Sequence, residues 1–137
     1  MLRLERAKDE DRKMVQALLA DNEMDYVDPI EDFVLAKQDG EIVGCARMED
    51  YPEMAMLRPL VVAKAFRNRG IGRLILEQIL PESKPVVIVA RGDSVKFYNA
   101  LGFTVANWRE IPGHQADECA FCPDRTQCGP QPMIYRR

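Results

Sequence analysis

Leu60-Val61-Val62-Ala63-Lys64-Ala65-Phe66-Arg67-Asn68-Arg69-Gly70-Ile71-Gly72-Arg73 is the stretch from which the fold is read. It opens on a short apolar run, crosses a basic segment free of acidic residues, and closes on Gly-x-Gly at the head of a helical pattern. Ile71, Leu74, Ile75 and Ile79 recur at the spacing of one amphipathic helix face. Glycines at such a junction let backbone approach a ligand closely, and the first helical turn offers unpaired N–H groups and a positive dipole end. With Lys64, Arg67, Arg69 and Arg73 around it, the junction reads as a cradle for a diphosphate. A helix start with a solvated basic face accounts for the same residues more plainly. A Walker loop is excluded because no Gly-Lys-Ser/Thr follows. A dinucleotide fingerprint is excluded because its third glycine and acidic ribose partner are missing.

Working outward, Leu2 and Leu4 alternate with charged residues as in a half-buried strand. From Asp9 or Asp11 to Ala20, Met14, Val15, Leu18 and Leu19 fall at helical spacing behind an aspartate cap. Residues 21–30 are acidic, contain Pro29 and read as a loop or a short irregular helix. Phe33 to Lys37 and Ile42 to Met48 read as strands joined by a tight turn at Gln38-Asp39-Gly40-Glu41. Met54 to Val62 is a third strand, in which Pro59 argues for an edge or a bulge because proline donates no ladder hydrogen bond. Beyond the glycine junction, Val86 to Val89 is a continuous apolar run suited to a strand covered on both faces. Asp93 or Ser94 caps a short helix from Val95 to Leu101, stopped by Gly102. Phe103 to Trp108 reads as a strand, and Met133 to Tyr135 as a last one. The class is α/β with a mixed sheet.

The chain has 137 residues, enough for one ordinary domain, and 47% apolar with 30% charged residues makes it a core-forming composition. Nineteen basic against twenty-two acidic side chains leave a formal charge of −3, which gives no basic excess for a nucleic acid partner. Charges begin at Arg3 and no run of eighteen apolar residues occurs, so neither a signal peptide nor a membrane span is expected and a cytoplasmic setting is the default.

Two segments carry a family resemblance. Leu60-Val61-Val62 followed by Arg67-Asn68-Arg69-Gly70-Ile71-Gly72 resembles the acetyl-CoA motif of the GNAT acyltransferase superfamily, Arg/Gln-x-x-Gly-x-Gly/Ala after an apolar strand. Downstream, Ser94-Val95-Lys96-Phe97-Tyr98-Asn99-Ala100-Leu101-Gly102-Phe103 resembles the second family motif, Ala-x-x-Phe-Tyr-x-x-x-Gly-Phe. The preceding elements also match, so the resemblance covers roughly residues 1–108. It implies a GNAT fold, a mixed and mostly antiparallel sheet with a bulged central strand, flanked by helices. It implies an N-acetyltransferase that uses acetyl-CoA. Backbone N–H groups of Arg69, Gly70, Ile71 and Gly72 would hold the pyrophosphate, with Arg67 and Arg73 adding charge. Backbone groups of Leu60, Val61 and Val62 would lie along the pantetheine arm and the thioester carbonyl. Tyr98 stands where the family places the general acid for the departing thiolate. Arg91 stands seven residues before it, where relatives often carry an asparagine.

On the acceptor side, Glu49, Asp50 and Glu53 lie at the turn into the third strand, near where the resemblance places a base or a water-relaying carboxylate; Glu53 is the one selected, and a solvated turn residue is the other reading of each. Within the superfamily the segments around Cys45 and Pro59 look most like small amino-acid N-acetyltransferases, the glutamate and arsenic-operon-associated branch. Arg47 and Arg58 would then meet an acceptor carboxylate, which a guanidinium fork suits; surface arginines on strands explain them equally well. The expected organisation is a transferase domain over 1–112 and a cysteine-rich tail over 113–137 packed on it. In that tail His114, Cys119, Cys122 and Cys128 supply the ligand types of a tetrahedral zinc site, while a disulfide or free thiols are the other readings. Cys45 reads as core. The partner expected is a small-molecule amine, with a homodimer typical of the superfamily. A non-catalytic acyl-CoA-binding or metal- or redox-sensing module, and a peptide or protein N-terminal acetyltransferase, are the alternatives.

Overall fold

Asp39 and Gly40 take positive φ values of 53° and 83° and so close the expected hairpin between β2 (Phe33–Gln38) and β3 (Glu41–Asp50). A two-residue Asp-Gly turn of this kind has the twist that antiparallel strands require. The computed structural model describes residues 1–137 apart from 82, 114, 115, 117–119, 121, 124 and 137. Two units divide the chain: Met1–Glu49 with Leu57–Leu80, and Asp50–Met56 with Pro81–Arg137.

In the first unit the strand order is β1 (Leu2–Arg6), β2, β3, then β4 (Ala55–Val62), whose first two residues are counted with the second unit. β1 pairs antiparallel with β2 from Leu2↔Gln38 to Arg6↔Val34. The helix α1 (Arg12–Asp21) buries Val15, Leu18 and Leu19. These pack with Phe33, Leu35, Cys45 and Val61 into one core, and Tyr26 stacks on Phe33 at 5.7 Å. Met14 stays nearly half exposed. The other helix, α2 (Ile71–Ile79), buries Ile71, Gly72, Ile75 and Leu76. Leu74 is exposed, although the apolar pattern placed it on the packed face. At 100° per residue it lies about 130° from the centre of the face that Ile71, Gly72, Ile75 and Leu76 define. Gly72 and Leu76, not Leu74, set the orientation of this helix.

Asp11 corrects the expectation of a simple helix cap. Its side chain makes no cap hydrogen bond to α1. Instead, its Oδ2 accepts from the Lys8 N–H at 2.9 Å, and its Oδ1 pairs with Lys37 Nζ at 3.0 Å. Lys37 also reaches Glu5 at 2.7 Å, so this nearly buried carboxylate shares one cation with β1 and β2.

In the second unit the order is β4, β5 (Val86–Ala90), β7 (Gln131–Tyr135) and β6 (Thr104–Val105). β4 and β5 are parallel over Ala55↔Val86 and Met56↔Val87, ahead of Pro59. Pro59 thus sits in a strand with neighbours on both sides, where its missing N–H breaks no bond of that parallel ladder. The expected strand from Phe103 to Trp108 shrinks to Thr104–Val105 and gives way to a single 3-10 turn at Trp108–Glu110. Asn107 causes the break: it closes a capping box with Glu110, its side chain accepting from the Arg109 N–H at 2.9 Å. The short helices α3 (Val95–Ala100) and α4 (Arg125–Cys128) also belong to this unit. Met56, Val87, Ile111 and Ile134 form the buried core here.

Gly44 tests the packing of α2. A Cβ there would meet Ile75 Cδ1 at 2.9 Å and the Val61 carbonyl oxygen at 3.2 Å. The side chain can turn away but the backbone oxygen cannot, so Gly44→Ala should cost about 1–3 kcal/mol of stability, read by urea denaturation.

Candidate functional site

The loop ahead of α2 is built from backbone conformation. Asn68 and Gly70 both take left-handed φ, 65° and 79°, on either side of Arg69. Gly70 is the N-cap of α2 and, having no side chain, gives the first turn no cap hydrogen bond. The first intrahelical bond runs from Leu74 N to the Gly70 carbonyl at 3.1 Å. The N–H groups of Ile71, Gly72 and Arg73 therefore lie ahead of the helical ladder, at its positive end. Such an end holds phosphate oxygens.

The cations around the loop differ in their engagement. Arg67 donates from Nε to the Val62 carbonyl at 2.9 Å and from Nη2 to Asn22 Oδ1 at 2.6 Å. Asn22 is the C-cap residue of α1 and donates to the Leu18 carbonyl at 2.9 Å. Arg67 is thus a brace between the loop and the end of α1 as well as a local positive charge. Arg69 is exposed, with Cζ 5.1 Å from the centre of the Phe66 ring. Lys64 and Arg73 are exposed, whereas Leu60 and Val62 are partly buried and Val61 is buried.

On the acceptor side the two arginines separate. Arg47 is buried at 8% exposure, and its Nη1 lies 3.0 Å from Glu49 Oε2 and 3.4 Å from the Arg58 carbonyl oxygen. Its Nε is the one buried side-chain nitrogen or oxygen among the described residues with no hydrogen-bond partner. A buried unsatisfied donor of this kind costs about 1–3 kcal/mol. Arg58 is half-buried. Glu53, selected from sequence as the proton relay, is exposed in the turn after β3, while Asp50 pairs with Lys84 at 2.5 Å. Glu49 was not singled out over its neighbours from sequence. A signal existed: residues two apart on a strand face the same side, and Arg47 and Glu49 are so spaced.

In the second unit Tyr98 lies on α3 with its ring buried between Phe97 at 5.0 Å and Phe103 at 5.5 Å, both edge-on. The N–H groups of Leu101 and Phe103 both donate to its carbonyl, which ends the helix and draws Phe103 under it. Burial pushes the Tyr98 phenol well above the ordinary tyrosine range. Arg91 is partly buried just before this segment.

The tail enters the same unit. A Cβ on Gly92 would stand 3.3 Å from the Cys128 carbonyl oxygen and 3.2 Å from that of Gly129. Arg125 lies over the Trp108 ring at 5.1 Å. Of the four residues grouped as zinc ligands, His114 and Cys119 lie outside the described residues. Cys122 is exposed and Cys128 is partly buried. Among the described residues no group of three potential ligands comes together. No described helix is long and apolar enough to cross a membrane.

Residues 29–105, more than half the chain, match the family described as acetyltransferase (GNAT) domain. An uncharacterised N-acetyltransferase from Chlorobaculum tepidum is 29% identical over 112 residues, covering 79% of this chain and 72% of its own. Among solved structures, the N-acetylglutamate synthase of Neisseria gonorrhoeae, complexed with coenzyme A and N-acetyl-glutamate, superposes with a TM-score of 0.82 at 16% identity. That likeness covers 99% of this chain but 35% of the synthase, so the chain spans about a third of its length. The ribosomal-protein-S18-alanine N-acetyltransferase of Escherichia coli superposes at 0.70 with 16% identity, covering 98% and 91%.

The thiols give a direct check on the burial described above. Burial pushes Cys45 up to about 12, so at neutral pH it carries almost no thiolate, whereas Cys122 is exposed. Iodoacetamide at pH 7.5 should alkylate Cys122 in the native protein and leave Cys45 unmodified until denaturant is added, as read by peptide mass spectrometry.

Proposed function

The chain belongs to the GNAT acetyltransferases, acetyl-CoA-dependent N-acetyltransferases, and we propose that its acceptor is the primary amine of a small metabolite, an amino acid or a close analogue. The observation that carries the donor half of this reading is the first turn of α2, open behind a left-handed glycine. Backbone N–H groups of Arg69, Gly70, Ile71 and Gly72 hold the pyrophosphate there, and Arg67, Arg69 and Arg73 raise the local positive potential. Backbone groups of Leu60, Val61 and Val62 line the pantetheine arm.

The chemistry follows from the thioester. A neutral amine attacks the carbonyl carbon, the C–N bond forms, and the π electron pair moves onto oxygen. A strand N–H aimed at that oxygen stabilises it by roughly 3–4 kcal/mol, as in analogous sites. The C–S bond then breaks with its electron pair on sulfur, and the Tyr98 hydroxyl supplies the proton that makes the free thiol. The phenolate recovers a proton from water. The surplus proton of the amine leaves to solvent by way of the exposed Glu53 carboxylate. A buried phenol is a weak acid, so Tyr98 donates as the C–S bond breaks rather than beforehand. Its high pKa also keeps it protonated across the working range.

Arg47 and Arg58 stand as acceptor-side residues, and a small acceptor is supported by the amino-acid product held in the Neisseria synthase. The Escherichia coli ribosomal-protein acetyltransferase favours a second reading, a peptide N-terminus as acceptor. An acceptor screen over amino acids, polyamines and short peptides, followed by CoA release, separates the two. Turnover confined to peptides would overturn the small-metabolite reading.

Tyr98→Phe removes one hydroxyl from a packed ring. It should lower kcat about a hundredfold and leave acetyl-CoA affinity within a factor of two, measured by steady-state kinetics and calorimetry. The pH profile carries a sign of its own. Rate should rise with pH as the acceptor amine deprotonates, and raising the pKa of an acid extends its protonated form to higher pH. No alkaline fall should therefore appear below about pH 10. A falling limb near pH 9 in kcat would assign the donor to another group.

A further inference from the structure

Arg47 is a buried cation that its own fold satisfies on one side. Its described hydrogen bonds all leave from Nη1, to Glu49 Oε2 at 3.0 Å and the Arg58 carbonyl at 3.4 Å. Nε is buried and has no partner. Nε and Nη2 together form the side edge of a guanidinium, where two parallel N–H groups match the two oxygens of one carboxylate. Glu49, which accepts from Nη1, makes no hydrogen bond to Nε. Strand geometry fixes the direction of the group: Arg47 is paired with Phe33 across β2 and β3 and lies two residues beyond Cys45 on the same strand face. It thus extends the face that packs with α1, where Tyr26 of the acidic loop stacks on Phe33.

We propose that the Nε edge of Arg47 binds a carboxylate carried by the acceptor, and that Glu49 is a positioning residue that holds the guanidinium by Nη1 so that this edge stays presented. The inference rests on the reading of a small amine acceptor and narrows it to amines that bear a carboxylate. Glu49 acts in two ways. It compensates a cation that is nine-tenths buried, and it keeps the fork in one orientation, which lowers the ordering cost of binding. Lysine at position 47 would keep the charge and lose the two-pronged edge.

The test uses paired acceptors with the full chain. L-leucine is compared with isoamylamine, and L-glutamate with L-glutamine and γ-aminobutyrate, measuring kcat and KM by CoA release and affinity by calorimetry. Expected is a KM at least tenfold lower for carboxylate-bearing acceptors than for isoamylamine. Glutamine matching glutamate would assign the bound group to the α-carboxylate. γ-Aminobutyrate matching glutamate would assign it to the distal one. Arg47→Lys should erase the preference by raising KM for the acids toward that for isoamylamine. Glu49→Ala should weaken the preference, and Glu49→Gln, which keeps an oxygen for Nη1, should restore most of it.

Equal KM values for leucine and isoamylamine in the unaltered protein would overturn the carboxylate site while leaving acetyl transfer intact, and this comparison needs no variant to fold. Persistence of the preference in Arg47→Lys would overturn the role of Arg47. Absence of turnover on every amine would remove the small-acceptor reading instead. Calorimetry with leucine against isoamylamine would then decide the carboxylate site by itself.

Discussion

A helix that starts without a side-chain cap leaves several backbone donors unsatisfied, and the first unit is arranged around that deficit at α2. The deficit is bearable because the loop ahead of the helix is exposed, and it is useful because phosphate oxygens are the acceptors that best answer it. Holding it open requires rigidity elsewhere. Ile71, Ile75 and Leu76 press the helix onto the sheet, and Gly44 lets it come close. Arg67 fixes the loop from the other side through Asn22 and the Val62 carbonyl. An arginine read from sequence as a phosphate ligand is therefore first a structural brace.

Much of this was legible in the linear chain. The hairpin at Asp39-Gly40, the helix face of Val15, Leu18 and Leu19, the glycine junction and the helix bearing Tyr98 all rest on local signals. Turn chemistry, periodicity and stop residues act over a few positions, so they survive in a single sequence. Cys45 was legible for the same reason: small neighbours on a strand leave it little to do but pack.

What was not legible depends on distant partners. Asp11 looks like a helix cap, but Lys37, brought alongside by β2, makes it a buried counter-ion. Leu74 has the right spacing for the apolar face, yet the centre of that face is set by what the sheet offers to Gly72 and Leu76. Arg47 and Glu49 look like alternate residues of an ordinary strand, and only burial reveals a charge pair with one edge unanswered. Composition reports that a charge exists. The fold decides whether water can reach it.

The strand order of the second unit has a consequence for how the chain is made. β7, at residues 131–135, lies between β5 and β6, and its pairing with β5 runs the full length of both strands from Val86↔Tyr135 to Ala90↔Gln131. β6 precedes it in sequence yet has β7 as its neighbour in the sheet. During synthesis, then, β5 and the segment carrying Tyr98 emerge long before the strand that completes their sheet. Until it arrives, β5 presents an unpaired apolar edge, the kind of surface on which nascent chains associate. The first unit has no such wait after Leu80, so the loop ahead of α2 can be in place while the segment carrying Tyr98 is still unsupported.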